Sequence, residues 1–537
     1  MSALAAPARK AVRLEAAPSA IRLAGPAAVQ HILVTAVLPD GTRRDVTDEC
    51  AFASATPKVA ALNGRAEVVP AGDGSGWIRA SWRGAVIKIP VTASGARQAL
   101  RVSFTSDVVP ILSRQGCSSG ACHGAAQGKG GFRLSLRGYA PEIDFASITR
   151  ALGGRRISRE NPEASLFLRK PLGELPHRGG LRLVRGSREH SLLLAWLRQG
   201  APGPDPRDPA LARVDILPGD REMRAGDRQR LLVRATFSDG HTEDVTERAL
   251  YAANDVAIAT VSDDGLATLV RPGETAITAR YMDKLAVARF TAPFRQPVRD
   301  SAFKAANNYI DTLVNAKLKQ LHIEPSGLCT DQEFLRRAYI DAIGTLPPAE
   351  EASAFLADQS PDRRSKLIES LLRRPEYGEI WALKFGDLFV LRREYMHRKY
   401  AMEMQQWLAE QFNANTPWDK LVTAILTASG PLEESRGGFF FVSRTPQKPG
   451  EGSWIRAAEP TAEMVAQDFL GARIGCAKCH NHPTERYTQD DYYHFAALWQ
   501  QVHGKGGNDD GVPEILDASA NGDVRQPRTG ELMAPRP

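Results

Sequence analysis

The sequence lacks the features that would tie it to a bilayer or to a nucleic acid. No run of about 18 apolar residues occurs, so no transmembrane segment is expected. No Lys/Arg run is dense enough to follow a phosphate backbone, which argues against a nucleic-acid partner. A Gly-x-Ser-x-Gly elbow, a P-loop and a His-Glu-x-x-His helix are all missing, so the chemistries built on them have no residues here. Met1 to Lys10 is rich in Ala and Pro without an apolar centre, and does not read as a signal peptide. Cysteine is scarce. Four of the six cysteines fall in two short motifs, each with a His directly after the second Cys. What remains is ordinary: 43% hydrophobic and 24% charged residues suit globular protein. The 537 residues suffice for three to five domains. The net charge of +7 reads as an Arg-rich solvated surface, with docking to an acidic partner, an anionic polymer or a membrane surface as the alternative.

Cys476-Ala477-Lys478-Cys479-His480 is the Cys-x-x-Cys-His signature of covalent haem attachment. Cys117 to Cys122-His123 has the same parts with four residues between the cysteines. In such sites each thiol adds to a haem vinyl group, and the adjacent His becomes the proximal iron ligand. Two c-type haems are therefore expected, on Cys117, Cys122 and His123 and on Cys476, Cys479 and His480. Two alternatives stand beside them: zinc held by Cys476, Cys479 and His482, and a local disulfide joining Cys117 to Cys122. Methionine is absent between Arg101 and Gly200. His177, in Pro176-His177-Arg178-Gly179-Gly180, is accordingly the distal candidate for the first iron, with His190 as its competitor. For the second iron the candidates are His494, His503, His397 and Met464, or an open position. His482 is too close to His480 to reach the opposite face and suits a supporting role. The six glycines from Gly116 to Gly131 offer backbone room close to a planar cofactor.

Taken in order, the chain opens with an internal repeat. Asp40-Gly41 and Asp45-Val46-Thr47 recur as Asp239-Gly240 and Asp244-Val245-Thr246, 199 residues later. Asp-Gly between alternating apolar runs signals a hairpin, and many short strands with regular turns signal a β-sandwich. Gly64-Arg65-Ala66 and Gly265-Leu266-Ala267 correspond with a departure of two residues, which predicts a small insertion or deletion. Between the copies, a short helix over 107–114 runs into Cys117. A closing helix over 187–199 carries Leu192, Ala195, Trp196 and Gln199 along one stripe. Ala201 to Asp208, rich in Pro and Asp, reads as a linker and the first site of proteolysis. After Phe294 helical periodicity takes over. One helix places Ile310, Leu313, Val314, Leu318 and Leu321 on one face. Thr330 to Glu333 reads as a capping box, Ser360-Pro361 as a helix start, and Thr488 to Asp491 as a cap on the last helix.

These residues carry a resemblance. The two β segments resemble bacterial Ig-like domains of type 2. Gly116-Cys117 through Cys122-His123-Gly124-Ala125, then Gly131-Phe132-Arg133-Leu134-Ser135-Leu136, is similar to the planctomycete-type cytochrome c domain. Cys476 through His480, then His482-Pro483 and Tyr487 to Tyr493, resembles a helical domain of unknown function found in the same exported proteins. The resemblance implies a multidomain chain: an Ig-like sandwich over 12–95, a helical cytochrome c-like domain over 100–203, a second Ig-like sandwich over 211–293, a mainly helical domain with the second haem motif over 300–505, and a flexible tail over 506–537. It implies an exported dihaem protein, periplasmic or at the cell surface, that transfers electrons to an unknown redox partner, with cell-surface or polysaccharide association through the Ig-like segments. The alternatives are a haem-dependent redox enzyme acting on a carbohydrate-related substrate, and a surface-adhesive protein with structural haem. Because haem attachment takes place on the exported side of the bacterial inner membrane, the start is expected to be trimmed or misassigned. The polar stretch from Gly511 to Pro537 is expected to be a cut end.

Overall fold

A computed structural model describes residues 12–64, 66–125, 127–391, 398–442, 458–482, 485–500, 502–505, 514–516 and 524–537, with 503–505 and 514–516 described by their backbone. The chain divides into two compact units, Met1–Pro325 and Ser326–Pro537. The first carries β-sheet on both sides of a helical segment, and the second is mainly helical. Among the described residues no helix is long and apolar enough to cross a membrane.

In the first β segment alternate residues turn to one core. Ala85–Ser94 buries Ile89, Val91 and Ala93 and exposes the residues between them, the period of two that a half-buried strand imposes. It lies between Gly74–Trp82, which is antiparallel to it, and Ile21–Ala24, which is parallel; Ala51–Ser54 forms the far edge. Arg13–Ala17, Leu33–Val37 and Arg43–Asp45 form a second sheet, and Gln30–His31, Glu67–Pro70 and Ala60–Leu62 a small third one. Ile21 and Ile78 from the first sheet, Val34 from the second and Val68 from the third share the buried cluster between them.

The second β segment repeats this plan, and it keeps the offset of 199 where the sequence suggested a departure. Ile32 N donates to Ala66 O at 2.9 Å, and Leu231 N to Gly265 O at 2.8 Å. Asn63 N donates to Glu67 O at 2.9 Å, and Ser262 N to Leu266 O at 3.0 Å. Ala66 therefore stands where Gly265 stands, both left-handed, at φ 57° and 77°. The expected insertion or deletion does not occur. An alanine holds a position that usually selects glycine, so matching glycine to glycine gave the wrong register.

The helical segment between them starts earlier than expected. A π-turn, Phe104–Val108, precedes the helix Val109–Arg114. Ser103 caps it: its hydroxyl accepts from Ser106 N at 3.1 Å, while its own N–H donates to Asp107 at 2.9 Å. The closing helix spans Arg188–Arg198 with Ser187 as its cap. Its buried face is His190, Leu193, Trp196 and Leu197, rotated from the expected stripe. Gln199 leaves that stripe to bind the segment's start, donating to Leu100 O at 2.8 Å and accepting from Val102 N at 3.2 Å. The expected linker is also fastened. Arg101 reaches Asp205 at 2.9 Å and Asp208 at 3.0 Å, and the Ser103 hydroxyl donates to Asp208 at 2.7 Å.

By its contacts the helix Tyr309–Leu321 groups with the first unit. Phe294 N donates to Leu321 O at 2.9 Å and Lys317 pairs with Glu274 at 2.8 Å, which ties the helix to the second β segment. Its apolar side chains Ile310, Leu313 and Val314 are exposed. In the second unit, capping boxes at Thr330/Glu333 and Thr488/Asp491 open Asp331–Ile343 and Gln489–Ala497. The helix expected to open at Pro361 starts at Arg363 instead, with Asp362 as its cap residue. Phe389 packs edge-on against Phe440 and Phe469, at 5.2 and 5.6 Å between ring centres, inside the larger core.

The described part of the expected flexible tail is packed. Val524 and Met533 join the core beside Tyr492 and Ala496. Gln526, 1% exposed, donates to Gln489 and Asp490, each at 3.0 Å. Glu514–Leu516 pairs with His503–Lys505 and with Gly430–Pro431. A buried amide must find partners, and these contacts fix a stretch whose polar composition suggested none.

Candidate functional site

The helix Val109–Arg114 buries Val109, Ile111 and Leu112 and hands the chain to the first motif. The motif then coils on itself. Cys117 N donates to Leu112 O at 2.9 Å, His123 N to Cys117 O at 3.0 Å, and Gly124 N to Ser119 O at 2.9 Å. The coil brings both cysteines and His123 to the wall of one cavity. It requires glycine at two places. A Cβ on Gly124 would lie 2.1 Å from Ser118 O, and one on Gly128 would lie 2.3 Å from Phe132 O. These two glycines make room for backbone rather than for a cofactor, which corrects the sequence reading; Gly130 does line the cavity.

Cys117, Cys122, His123 and His177 line this cavity of about 890 Å³ together. Sites that enclose a whole small molecule run to about 300–1,000 Å³. Leu112, Phe167, Leu183 and Leu193 supply apolar wall. Lys129, Arg155, Lys170 and Arg178 supply positive charge, and among the described residues the lining includes no Asp or Glu. His190 does not line the cavity. It is buried in the first turn of Arg188–Arg198, where its Nδ1 accepts from Gly186 N at 3.3 Å.

The two imidazoles are held alike. His123 Nδ1 lies 3.0 Å from Phe132 O, and His177 Nδ1 lies 2.8 Å from Gly180 O. A ring that donates from Nδ1 to a carbonyl keeps its lone pair on Nε2, the tautomer in which histidine binds a metal through that nitrogen. The ring centres are 6.4 Å apart with planes 16° from parallel. Rings in direct face contact would stand at about 3.5–4.0 Å, so a gap separates them. Phe132 packs on His123 at 4.5 Å, and the Arg156 guanidinium covers Phe132 at 4.5 Å. Arg156 also donates to Gly131 O at 2.7 Å and Ser147 O at 2.9 Å, which fixes the loop bearing Phe132. Burial pushes the Cys117 thiol up to about 11, with Cys122 adding to the shift. Burial also holds His123 below the usual imidazole range, with His177 contributing, and so favours the neutral, metal-binding form. Cys117 and Cys122 are free thiols, so the local disulfide is not formed. Two thiols, two imidazoles, an apolar wall and a cationic rim fit a haem with its two carboxylates. The sequence reading missed the rim; adjacent Arg155-Arg156 and Arg178 beside His177 were its only signals.

The second motif is built differently. A 3₁₀ turn, Gly475–Lys478, follows the helix Ala458–Leu470. Lys478 pairs with Glu459 at 2.8 Å, and its carbonyl accepts from Gln489 at 2.9 Å and from the Tyr493 hydroxyl at 3.2 Å. Burial raises the Tyr493 hydroxyl to about 12. Cys476 and Cys479 are exposed free thiols. His480 Nδ1 lies 2.7 Å from Asn481 O. His482 is buried, and its Nδ1 accepts from Glu485 N at 3.0 Å. Cys476, Cys479 and His482 do not bring three ligand atoms within 4.8 Å of one another, so the zinc arrangement is not formed. Of the distal candidates, His494 is engaged by the last residues of the chain: its Nδ1 lies 2.7 Å from Ala534 O and its Nε2 2.7 Å from Arg536. Met464 is fully buried in the aromatic core. His397 and the side chain of His503 lie outside the described residues, as do Pro483 and Arg65.

Residues 309–504, which include the second motif, match the family model PSCyt2, a protein of unknown function (DUF1549). Ice-binding protein 1 of Shewanella frigidimarina (strain NCIMB 400) is 36% identical over 73 residues, 14% of this chain. The chain spans 8% of the length of that relative. Among solved structures, domains 5–6 of the S-layer protein SbsC align with a TM-score of 0.22 at 11% identity, over 53% of this chain and 100% of that one. Domains 4 and 5 of the same protein align at 0.15 and 10% identity, over 48% of this chain and 89% of that one. At these scores the likeness is too loose to bear on the fold.

Proposed function

We propose that the chain is an exported, dihaem c-type cytochrome-like protein that transfers electrons through two covalently held haems. Cys117 and Cys122 carry the first through thioether bonds, with His123 as proximal and His177 as distal iron ligand. Cys476, Cys479 and His480 carry the second. In the same reading the segment 100–203 is a cytochrome c-like domain. The β segments are Ig-like modules of type 2 that space it at the cell surface or in the periplasm. The observation that carries the reading is the cavity that Cys117, Cys122, His123 and His177 line together, apolar inside and cationic at its rim.

Bound haem supplies a reversible iron couple. The protein's part is to set its potential and its access. His123 and His177, each oriented by a backbone carbonyl, give two nitrogen ligands, and a site without Met sits at lower potential than a His/Met site. Leu112, Phe167 and Leu193, which line the cavity, would keep water from a bound haem. Arg155, Lys170 and Arg178 balance its carboxylates. Were His123 and His177 both to bind the iron, they would leave substrate no place on it, which is why the reading is electron transfer rather than a redox enzyme at this site.

Optical spectra of the protein matured in a host with haem-attachment machinery test this. The first haem is expected to ignore carbon monoxide and cyanide, and His177→Ala to open it to both and to shift its potential. A wild-type first haem that binds carbon monoxide as the variant does would overturn the assignment of His177 and favour the enzyme.

A further inference from the structure

The two β segments of the first unit meet through a pair of matched contacts. Asp45 accepts from Arg230 N at 2.5 Å and from the Gln229 amide at 3.1 Å. Asp244 accepts from His31 N at 2.5 Å and from the Gln30 amide at 3.1 Å. Each Asp is braced by the Thr two residues on, Thr47 N and Thr246 N, both at 2.9 Å. Every member has its counterpart 199 residues away. The junction is thus a two-fold exchange within one chain, of the kind that joins identical subunits.

The two halves differ at their centre. In one, the Arg230 guanidinium bridges Asp48 at 2.7 Å and Asp264 at 3.0 Å. In the other, the counterpart of Arg230 is His31. Its Nδ1 lies 3.0 Å from Asp244, whose side chain is fully buried. Its Nε2 stands 3.6 Å from Glu247, the counterpart of Asp48. Glu67 adds a carboxylate where the other half has Leu266. The ligand atoms of His31, Glu67 and Glu247 all lie within 4.8 Å of one another.

Two independent features point to an ion. The 3.6 Å between Nε2 and Glu247 is too long for a sound hydrogen bond. It is close to the edge of about 3.3 Å that a tetrahedral ion with bonds of about 2.0–2.1 Å sets between its ligands. Asp244, behind Nδ1, is the buried carboxylate that orients a metal-bound imidazole and fixes its tautomer. Glu247 is held in place by its own backbone, whose carbonyl accepts from Arg114 at 3.2 Å. Its side chain is half-exposed, so an ion at this carboxylate would be reachable from solvent.

We propose that His31, Glu67 and Glu247 form a site for a zinc-class divalent cation that clamps the two β segments together. Without the cation, protonated His31 takes its place between Asp244 and Glu247, as Arg230 does in the other half. The test is zinc content and melting temperature of the haem-matured full chain beside His31→Arg and Glu67→Leu, two changes that copy the other half of the junction. Zinc bound elsewhere on the chain is common to all three and cancels. The wild type is expected to retain one more zinc per chain than either variant, and zinc is expected to raise its melting temperature more than theirs. Equal zinc content, or an equal rise in melting temperature for wild type and Glu67→Leu, would overturn the site and leave an ion pair alone. If His31→Arg does not fold, Glu67→Leu and the isosteric Glu67→Gln decide the matter.

Discussion

Gly124 decides whether the first motif can close. Its α-carbon faces the Ser118 carbonyl at a range where no Cβ fits, so any side chain must push the coil open between Cys117 and His123. Gly124→Ala is expected to cost roughly 1–3 kcal/mol, the usual size of an overpacking defect. It should also lower haem attachment at Cys117 and Cys122 while sparing Cys476 and Cys479. Peptide mapping of haem-bearing fragments separates the two sites, and equal loss at both would contradict this role. Asp144 gives the same segment a pH dependence. Its carboxylate accepts from Ser135 N at 2.5 Å and from the Ser135 hydroxyl at 2.7 Å. Burial outweighs both bonds and raises it to about 6, above the unfolded value of about 3.9. A raised acid contributes stability that is fully present below the unfolded value and is lost as pH rises through the folded one. Between pH 4 and 7 the segment should therefore lose up to roughly 3 kcal/mol. Asp144→Asn should flatten that slope in denaturant titrations, and an unchanged slope would show that other groups cause it.

At the scale of elements, helix ends were readable where a side chain makes the cap. Thr330 with Glu333, and Thr488 with Asp491, stand where the sequence put them. Helix faces were less readable. The stripe Leu192, Ala195, Trp196, Gln199 is regular, yet Gln199 is drawn to Leu100 and Val102, and Leu193 and Leu197 take the core with Trp196. The apolar face of Tyr309–Leu321 is regular as well, and its first part, Ile310, Leu313 and Val314, is exposed. Periodicity marks a face without saying what covers it. The linker after the closing helix shows a related limit. Pro and Asp are common in loose loops, but here Asp205 and Asp208 are the anchors for Arg101 and Ser103. Limited proteolysis is accordingly expected to spare 201–208 in the native chain, and Arg101→Ala to make it cleavable. Early cutting of the unaltered chain in this stretch would show that these contacts do not hold.

At the scale of the whole molecule, the repeat was visible in Asp-Gly and Asp-Val-Thr, but the work of its aspartates was not. Asp45 and Asp244 each bind the other β segment, a pairing nearly two hundred residues apart that leaves no local trace. Spacing singled out Cys117, Cys122 and His123, and the lack of methionine singled out His177, but that the four line one cavity shows only in the fold. The cationic rim was hidden because Lys129, Arg155, Lys170 and Arg178 are scattered and converge only in the fold. The second site gave its motif and little more, since both thiols stand exposed at a surface turn. The most direct test of the dihaem reading is the intact mass of the full chain, matured in an exporting host with haem-attachment machinery and then denatured in acid. Two haem increments are expected to remain, falling to one in Cys117→Ala/Cys122→Ala and to one in Cys476→Ala/Cys479→Ala. A chain that carries no haem increment under those conditions would contradict the account at both sites.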